Sequence, residues 1–553
     1  MTAGRPTADL VIVNAVIHTV DAERPRAQAL AIAGEHIIAV GSDGDIRSLA
    51  GPTTRVIDAG GRLVVPGFND AHVHFIAGAE ELVGVDLRPS RDEADMVRRL
   101  GAYAVTLPAG EWITGGYWDH EAWPGRALPS RDAIDAVTPD QPVLVRRLDG
   151  HLALANSVAL ARAGLDDGAA EPAGGAISRD ARGRLTGVLK DTAIDLVSRV
   201  MPPAPRQAIV ARARAALAHA ASLGVTSIQD MTASRGEFEA YQALRDAGEL
   251  TARISSIQNY DASGLPSIGA TGDGDDWLRI GGRKFFSDGS MGASTAAFFD
   301  PYTDDPGNSG LLIHDPATLE ALVFAADAEG FQPVVHAIGD RANTLVLDIF
   351  ERLLAAGERR DRRPRLEHAQ VVRLEDRVRC AALGVIASLQ PSHAIDDMRW
   401  AERRIGRERC ARAYNVRSFV DAGARVAFGT DWFVEPLDPM LGLYAAVTRQ
   451  SPDGTPADGW FPEERVSLVQ AVEAYTAGSA YAEFMDVRKG RLKPGYLADL
   501  VVLSRNIFTV APREILGTRP VLTIAGGRIV FQASREFGEA LDDVDVERQG
   551  VGR

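Results

Sequence analysis

Short apolar, β-branched runs recur through most of this chain, separated by Ala-, Arg- and Leu-rich stretches such as "APRQAIVARARAALAHAASLG" and "PATLEALVFAADAEG". Runs at 63–68, 143–146, 225–229, 254–258, 278–286, 333–336, 365–367, 385–389 and 426–429 read as strands, and the stretches between most of them as helices. That alternation is the pattern of βα units around a parallel sheet. Polar, potentially reactive residues stand at the ends of most of these runs, which is where a (β/α)8 barrel assembles its active site. The runs outnumber the strands of such a barrel, so one or two must lie outside it.

The two ends have a different texture. "DLVIVNAVIHTV", "ALAIAGEHIIAVG" and "TRVIDAGGRLVVPG" are short strand-like runs broken by Gly, Asp and Pro, and "LADLVVLSRN" and "PVLTIAGGRIVFQ" match them near the C-terminus. The fold expected is α/β: a distorted (β/α)8 TIM-like barrel over 63–485, with a small β-sandwich built from 1–62 and 486–553. Residues from about 86 to 190 fit the alternation poorly and contain Trp112, Trp118 and Trp123. They read as an inserted lobe over the barrel mouth, with indoles suited to a pocket wall.

The chain has 553 residues and a net charge of −15, with no dense Lys/Arg stripe, so a nucleic-acid partner is not expected. Its only cysteines, Cys380 and Cys410, cannot form a disulfide framework or a Cys-rich zinc site. No stretch is long and apolar enough for a membrane span, and the N-terminus lacks the features of a secretory signal. A cytoplasmic protein acting on a small molecule, without a membrane partner, is the expectation.

The strand ends carry the chemistry. "LVVPGFNDAHVHF" ends in Asp70, His72 and His74, and residues two apart on a strand share a face, so both imidazoles can converge on one point. "IGGRKFFSDGSMG" supplies Lys284 and Asp288, "QPVVHAIGDRAN" His336, "RPRLEHAQ" His368, and "ARVAFGTDWFVEP" Asp431 and Trp432. Alone, each has an ordinary structural explanation, such as a helix-capping Asp or a hydrogen-bonded strand-end His. In chain order they make a set of imidazoles, an amine and a carboxylate suited to a transition metal.

With "RRLDGHLALANSVAL", "GRLTGVLKD", "VVHAIGDRAN", "LEHAQ", "FGTDW" and "LKPGYLADLVVL", this ordered set resembles the metal-dependent amidohydrolase superfamily. The branch is the amidohydrolase-3 or YtcJ-like group, which includes N-substituted formamide deformylases. The resemblance implies one or two zinc or other divalent ions, with His72 and His74 as a first pair of ligands and His336 and His368 as a second. It implies Asp431 as ligand and as the base beside the attacking water. It implies a carboxylated Lys284 as bridging ligand, with Lys190 in "GVLKD" as a rival. His151 would aid oxyanion stabilisation or be structural, and Trp118, Asp288, His393 and Trp432 are candidates for the substrate pocket. His18, His36, His219 and His314 fall outside the pattern. The activity implied is hydrolysis of a C–N bond in an amide, N-formyl or cyclic amide compound, with a homodimer a common assembly. Ester or lactone hydrolysis and isomerisation are alternatives on the same barrel, and a binding protein that has kept only the fold is a third.

Overall fold

The computed structural model describes residues 7–259, 269–356 and 360–533. Its centre is a sheet of eight strands: β1 (Phe68–Val73), β2 (Val225–Thr232), β3 (Arg253–Asn259), β4 (Leu278–Phe286), β5 (Pro333–Ala337), β6 (Arg365–His368), β7 (Ile386–Leu389) and β8 (Arg425–Phe428). Each strand pairs in parallel with the next in chain order. Helices such as Arg206–Ser222, Pro316–Ala328 and Asp340–Ala356 follow β-strands and share with the sheet a continuous apolar cluster.

The ring closes between β8 and β1 without a full ladder. Past the end of β8, the Asp431 N–H donates to the His72 carbonyl, and the His74 N–H donates to the Trp432 carbonyl, both at 2.7 Å. A side chain reinforces this seam: the buried Asp70 carboxylate accepts from the Thr430 N–H at 3.0 Å, the Thr430 hydroxyl at 2.6 Å and the His72 N–H at 3.1 Å. Gly429 is required by that approach, since a Cβ there would lie 2.6 Å from the His72 nitrogen.

Two sequence expectations change. The run at 63–68 is not one barrel strand. Leu63–Pro66 pairs with Val16–His18 and Leu500–Leu503 in the sheet of the chain ends, and the barrel begins only at Phe68. Between them, a Cβ on Gly67 would lie 2.1 Å from the Thr226 hydroxyl, so the bare backbone lets the chain cross from one sheet to the other beside β2. The run at 143–146 lies outside the barrel. As Val143–Arg147 it joins Val85–Asp86, Ile113–Trp118, Leu152–Ala155, Leu185–Asp191 and Gly175–Arg179 in a six-stranded sheet inserted between β1 and β2.

The chain ends supply a four-stranded and a six-stranded sheet. Leu10, Ile12 and Leu30 of one share an apolar core with Val64, Leu500 and Leu522 of the other. Among the described residues, no helix is long and apolar enough to cross a membrane.

The closing seam generates a stability prediction. Gly429→Ala forces β8 away from β1 and should destabilise by about 1–3 kcal/mol, as overpacking of a tight core does. Thermal unfolding should show a lowered midpoint; an unchanged midpoint would mean the seam is looser than described.

Candidate active site

Strand alternation places the site residues at one end of the barrel. His72 is the penultimate residue of β1 and His74 follows two residues later, where the helix Phe75–Val83 begins. Lys284 on β4 and His336 on β5 share the interior face, while their neighbours Phe285 and Val335 pack outward among the helices. His368 and Asp431 break the alternation. Both have left-handed backbone, φ +67° and +59°, a conformation that costs a non-glycine residue about 1–3 kcal/mol. On β6, Arg365 and Glu367 lie on one face, and the turn at His368 re-aims its ring toward the mouth rather than into the helix layer.

Asp431 sits among four imidazoles. Its Oδ1 lies 3.5 Å from His72 Nε2 and 3.4 Å from His74 Nε2, while its Oδ2 lies 3.7 Å from His368 Nδ1 and 3.9 Å from His393 Nε2. Lys284 Nζ is 3.3 Å from His72 Nε2 and fully buried. His336 joins through its ring, whose centroid is 4.7 Å from that of His368. The site thus brings together His72, His74, Lys284, His336, His368, His393 and Asp431. Of the four imidazoles around Asp431, His74 has the most open side chain, 21% exposed against 0–8% for the others.

Hydrogen bonds fix which nitrogen of two rings is free. His72 Nδ1 donates to Glu367 Oε2 at 2.5 Å, leaving Nε2 with its lone pair toward Asp431. His336 Nε2 donates to the Gly289 carbonyl at 3.1 Å; a carbonyl only accepts, so Nδ1 holds the lone pair. Burial pushes the Glu367 carboxyl up, but Arg365 and His72 outweigh it and hold it at about 2. Arg365 is itself buried in the barrel interior, donating to Glu367 Oε1 at 2.8 Å, Gln229 Oε1 at 2.5 Å and the Ala71 carbonyl at 2.7 Å. Burial, with Lys284 beside it, lowers His72 to about 4, and burial drives His336 and His368 well below the usual range. These rings are neutral near pH 7. Burial would raise Asp431, yet His72, His74 and His368 hold it well below the usual carboxylate range.

The inserted lobe reaches the same place. His151, in the turn before Leu152–Ala155, has its ring centroid 5.1 Å from that of His336, and its Nδ1 donates to Asp191 Oδ1 at 2.6 Å. Burial lowers His151, but the hydrogen bond and charge of Asp191 more than reverse it, so its pKa is raised.

Several expected pocket residues face elsewhere. Trp118 is enclosed in the lobe's apolar core, and its indole N–H donates to the Val145 carbonyl. Trp432 packs on Phe75 and His219 and donates to Glu81, so its ring belongs to the helix layer. The aromatics nearer the imidazoles are one residue away in each case: Phe433, with its ring centroid 5.5 Å from His74, and Tyr117, stacked on Phe433 at 4.2 Å. Asp288 braces the loop as acceptor for the Ala297, Ile338 and Gly339 N–H groups, with Oδ1 3.6 Å from His336 Nε2. Lys190 Nζ donates to the Ala293 carbonyl at 3.0 Å, whereas Lys284 Nζ contacts His72. Glu367, Arg365 and Asp191 were not singled out from sequence as site residues. A signal for the first two was present, since charged residues in a short core strand are seldom buried without a paired role.

The donor set fits a divalent first-row ion. Neutral imidazoles and a carboxylate are suitable ligands. Two clusters, His72/His74/Asp431 and His368/His393/Asp431, each have ligand atoms within 4.8 Å of one another. Asp431 Oδ1 and His393 Nε2 are buried without a well-formed hydrogen bond among the described residues, an expensive arrangement unless something else binds them.

The chain is similar to known proteins over most of its length. The chain is 34% identical over 551 residues to Protein LONG AFTER FAR-RED 3 of Arabidopsis thaliana, covering 95% of this chain and 92% of that one. It is 27% identical over 543 residues to an N-substituted formamide deformylase of Arthrobacter pascens, covering 95% and 98%. A crystal structure of an uncharacterized metal-dependent hydrolase from Pyrococcus horikoshii OT3 superposes with a TM-score of 0.74 at 27% identity, covering 91% of this chain and 99% of that one. With residues 55–531 matching the model of the amidohydrolase family, in its amidohydrolase-3 branch, the chain belongs to that family.

Proposed function

We propose that this protein is a metal-dependent hydrolase that cleaves the C–N bond of an amide, N-formyl or cyclic amide compound. The observation that carries the reading is the Asp431 carboxylate, buried and anionic between His72, His74, His368 and His393. Similarity to a formamide deformylase supports the C–N preference. His72, His74, Lys284, His336, His368 and Asp431 would hold the ions, with zinc the best match to imidazole and carboxylate donors. A bound divalent ion would supply Lewis-acid polarisation of the carbonyl and a more acidic water.

The chain's own groups do the rest. Asp431 orients the attacking water, accepts its proton and passes that proton to the departing nitrogen. His151, kept protonated to higher pH by Asp191, offers an N–H to the oxyanion of the tetrahedral intermediate. Glu367, anchored by Arg365, holds the His72 ring so that Nε2 faces the site. Phe433 and Tyr117 form an apolar wall beside His74 that would favour a hydrophobic substituent. Burial lowers Lys284 to about 8, so near neutral pH part of it is free amine. That amine can add to carbon dioxide, forming an N–C bond and releasing one proton, to give a carbamate that ligates where an ammonium would repel. The two cysteines are buried free thiols, which supports a cytosolic setting.

The test is turnover by the Zn2+-loaded protein against N-formyl amines, N-acyl amines, cyclic amides and lactones. Amine release is expected. Turnover of lactones alone would replace the C–N reading with ester chemistry.

Three variants sharpen it. Asp431→Asn should stay folded and keep the ion at His72 and His74, yet lose about 10²–10⁴-fold in turnover. Near-normal turnover would leave Asp431 a structural residue. Lys284→Ala should lose activity, regained in part with short carboxylic acids, and wild-type protein should show one added carbon dioxide by native mass spectrometry. Incorporation should rise with pH toward about 8, as the free amine increases. Glu367→Gln keeps the shape but removes the anion on His72, and should weaken metal binding about 10–100-fold in a chelator competition. Unchanged affinity would show that the carboxylate is dispensable for holding the ring.

A further inference from the structure

We propose that Asp230, on β2, is a positioning residue for His74: it caps the helix that begins beside His74 and so leaves the His74 ring free for the metal centre. The proposal rests on the metal-dependent reading above and extends it to a strand that supplies none of the ligands.

His74 stands at the N-cap position of the helix Phe75–Val83, and its carbonyl accepts the first intrahelical bond, from the Gly78 N–H at 2.7 Å. A residue at that position commonly offers its own side chain to the unpaired N–H groups of the helix end. His74 makes no such bond, and its Nε2 lies 3.4 Å from Asp431 Oδ1. The acceptor comes from the neighbouring strand. Asp230 stands opposite Val73 in the pairing of β2 with β1, and its Oδ1 accepts from the Phe75 N–H at 2.8 Å.

Asp230 is itself held. Its side chain is buried, and Oδ2 accepts from the Thr232 hydroxyl at 2.7 Å and the Tyr241 hydroxyl at 2.9 Å. With one oxygen fixed by these hydroxyls, the other is directed at Phe75, and the backbone just past His74 is tied to β2. The backbone before it is tied to the seam, where the His74 N–H donates to the Trp432 carbonyl at 2.7 Å. His74 needs both ties, because it lies past the end of β1 and its side chain is the most open of the four imidazoles around Asp431. Without an acceptor at 230, the Phe75 N–H is buried and unpaired, a costly state. The helix end then shifts, or draws the His74 side chain onto its own N–H groups as at an ordinary N-cap. Either movement takes Nε2 away from Asp431.

The experiment compares Asp230→Ala, Asp230→Asn and Tyr241→Phe in the full-length protein. It uses crystal structures of the metal-stripped protein and Co2+ titration read by visible absorption. Asp230→Ala should move His74 Nε2 away from Asp431 while His72 stays in place, and should weaken Co2+ binding at the His72/His74 centre about 10–100-fold. Asp230→Asn keeps an acceptor oxygen for Phe75 and should restore the ring position and the affinity to near wild type. Tyr241→Phe removes a bond to the same carboxyl without touching the cap, so its melting midpoint should fall while the Co2+ spectrum and affinity stay unchanged. If Asp230→Ala folds poorly, Asp230→Ala/Tyr241→Phe, which strands no Tyr241 hydroxyl, takes its place. A His74 ring left in place by the alanine variant would overturn the proposal and leave the proposed function standing. An equal loss of Co2+ affinity in Tyr241→Phe would do the same, by making Asp230 a structural residue only. Wild type that binds no Co2+ would defeat the metal reading, and the His74 position in the alanine variant would still decide whether Asp230 holds the ring.

Discussion

The carboxylate of Asp70 ties the last barrel strand to the first, and the site depends on that join. By accepting from the Thr430 N–H and hydroxyl, it holds the chain beyond β8 against β1. Asp431 follows directly, and its own N–H is bound to the His72 carbonyl. A carboxylate at one end of the chain's barrel segment is thereby set against two imidazoles at the other end. The close approach admits only glycine at 429, so one small residue and one buried acid together define the seam.

The barrel interior is unusual in what it buries. Inward positions of such barrels are mostly filled by branched apolar side chains. Here Arg365 lies at the centre, bonded to Glu367, Gln229 and the Ala71 carbonyl. Below it, Gln229 approaches Asn69 at 3.4 Å, and Asn69 donates to Glu483, which is paired with Lys489 at 2.8 Å. Burying these charges is costly and is tolerated only because each is matched. The return is a rigid mount for the His72 ring, running from the barrel interior toward the base of the C-terminal segment.

The lobe reaches the candidate site. Its turn carries Leu148, which packs with Tyr117, Phe433 and Val434, and His151, which approaches His336. Ion pairs couple the lobe to the segment after β7: Arg399 joins Asp119, and Arg403 and Arg404 join Glu121. Changes in the lobe can therefore reach both the apolar wall near His74 and the imidazole near His336.

The alternation of strands and helices, and the reactive residues at strand ends, were legible because they are local: side-chain direction follows a period of two, and helix propensity follows composition. His72, His74, Lys284, His336, His368 and Asp431 could be found in this way. Register was not legible where the chain leaves regular geometry. Trp118 and Trp432 looked suited to a pocket, but left-handed backbone at Tyr117 and Asp431 reorients the chain next to each, and their neighbours Tyr117 and Phe433 lie closer to the imidazoles. The split at Gly67 was hidden for a similar reason, since one apolar run serves two sheets. By itself the sequence determined the barrel's repeating units and the kinds of groups at their ends. Only the closed ring decided which of them meet, because the distances among His72, His393 and Asp431 come from strands far apart in the chain, and no local pattern encodes them.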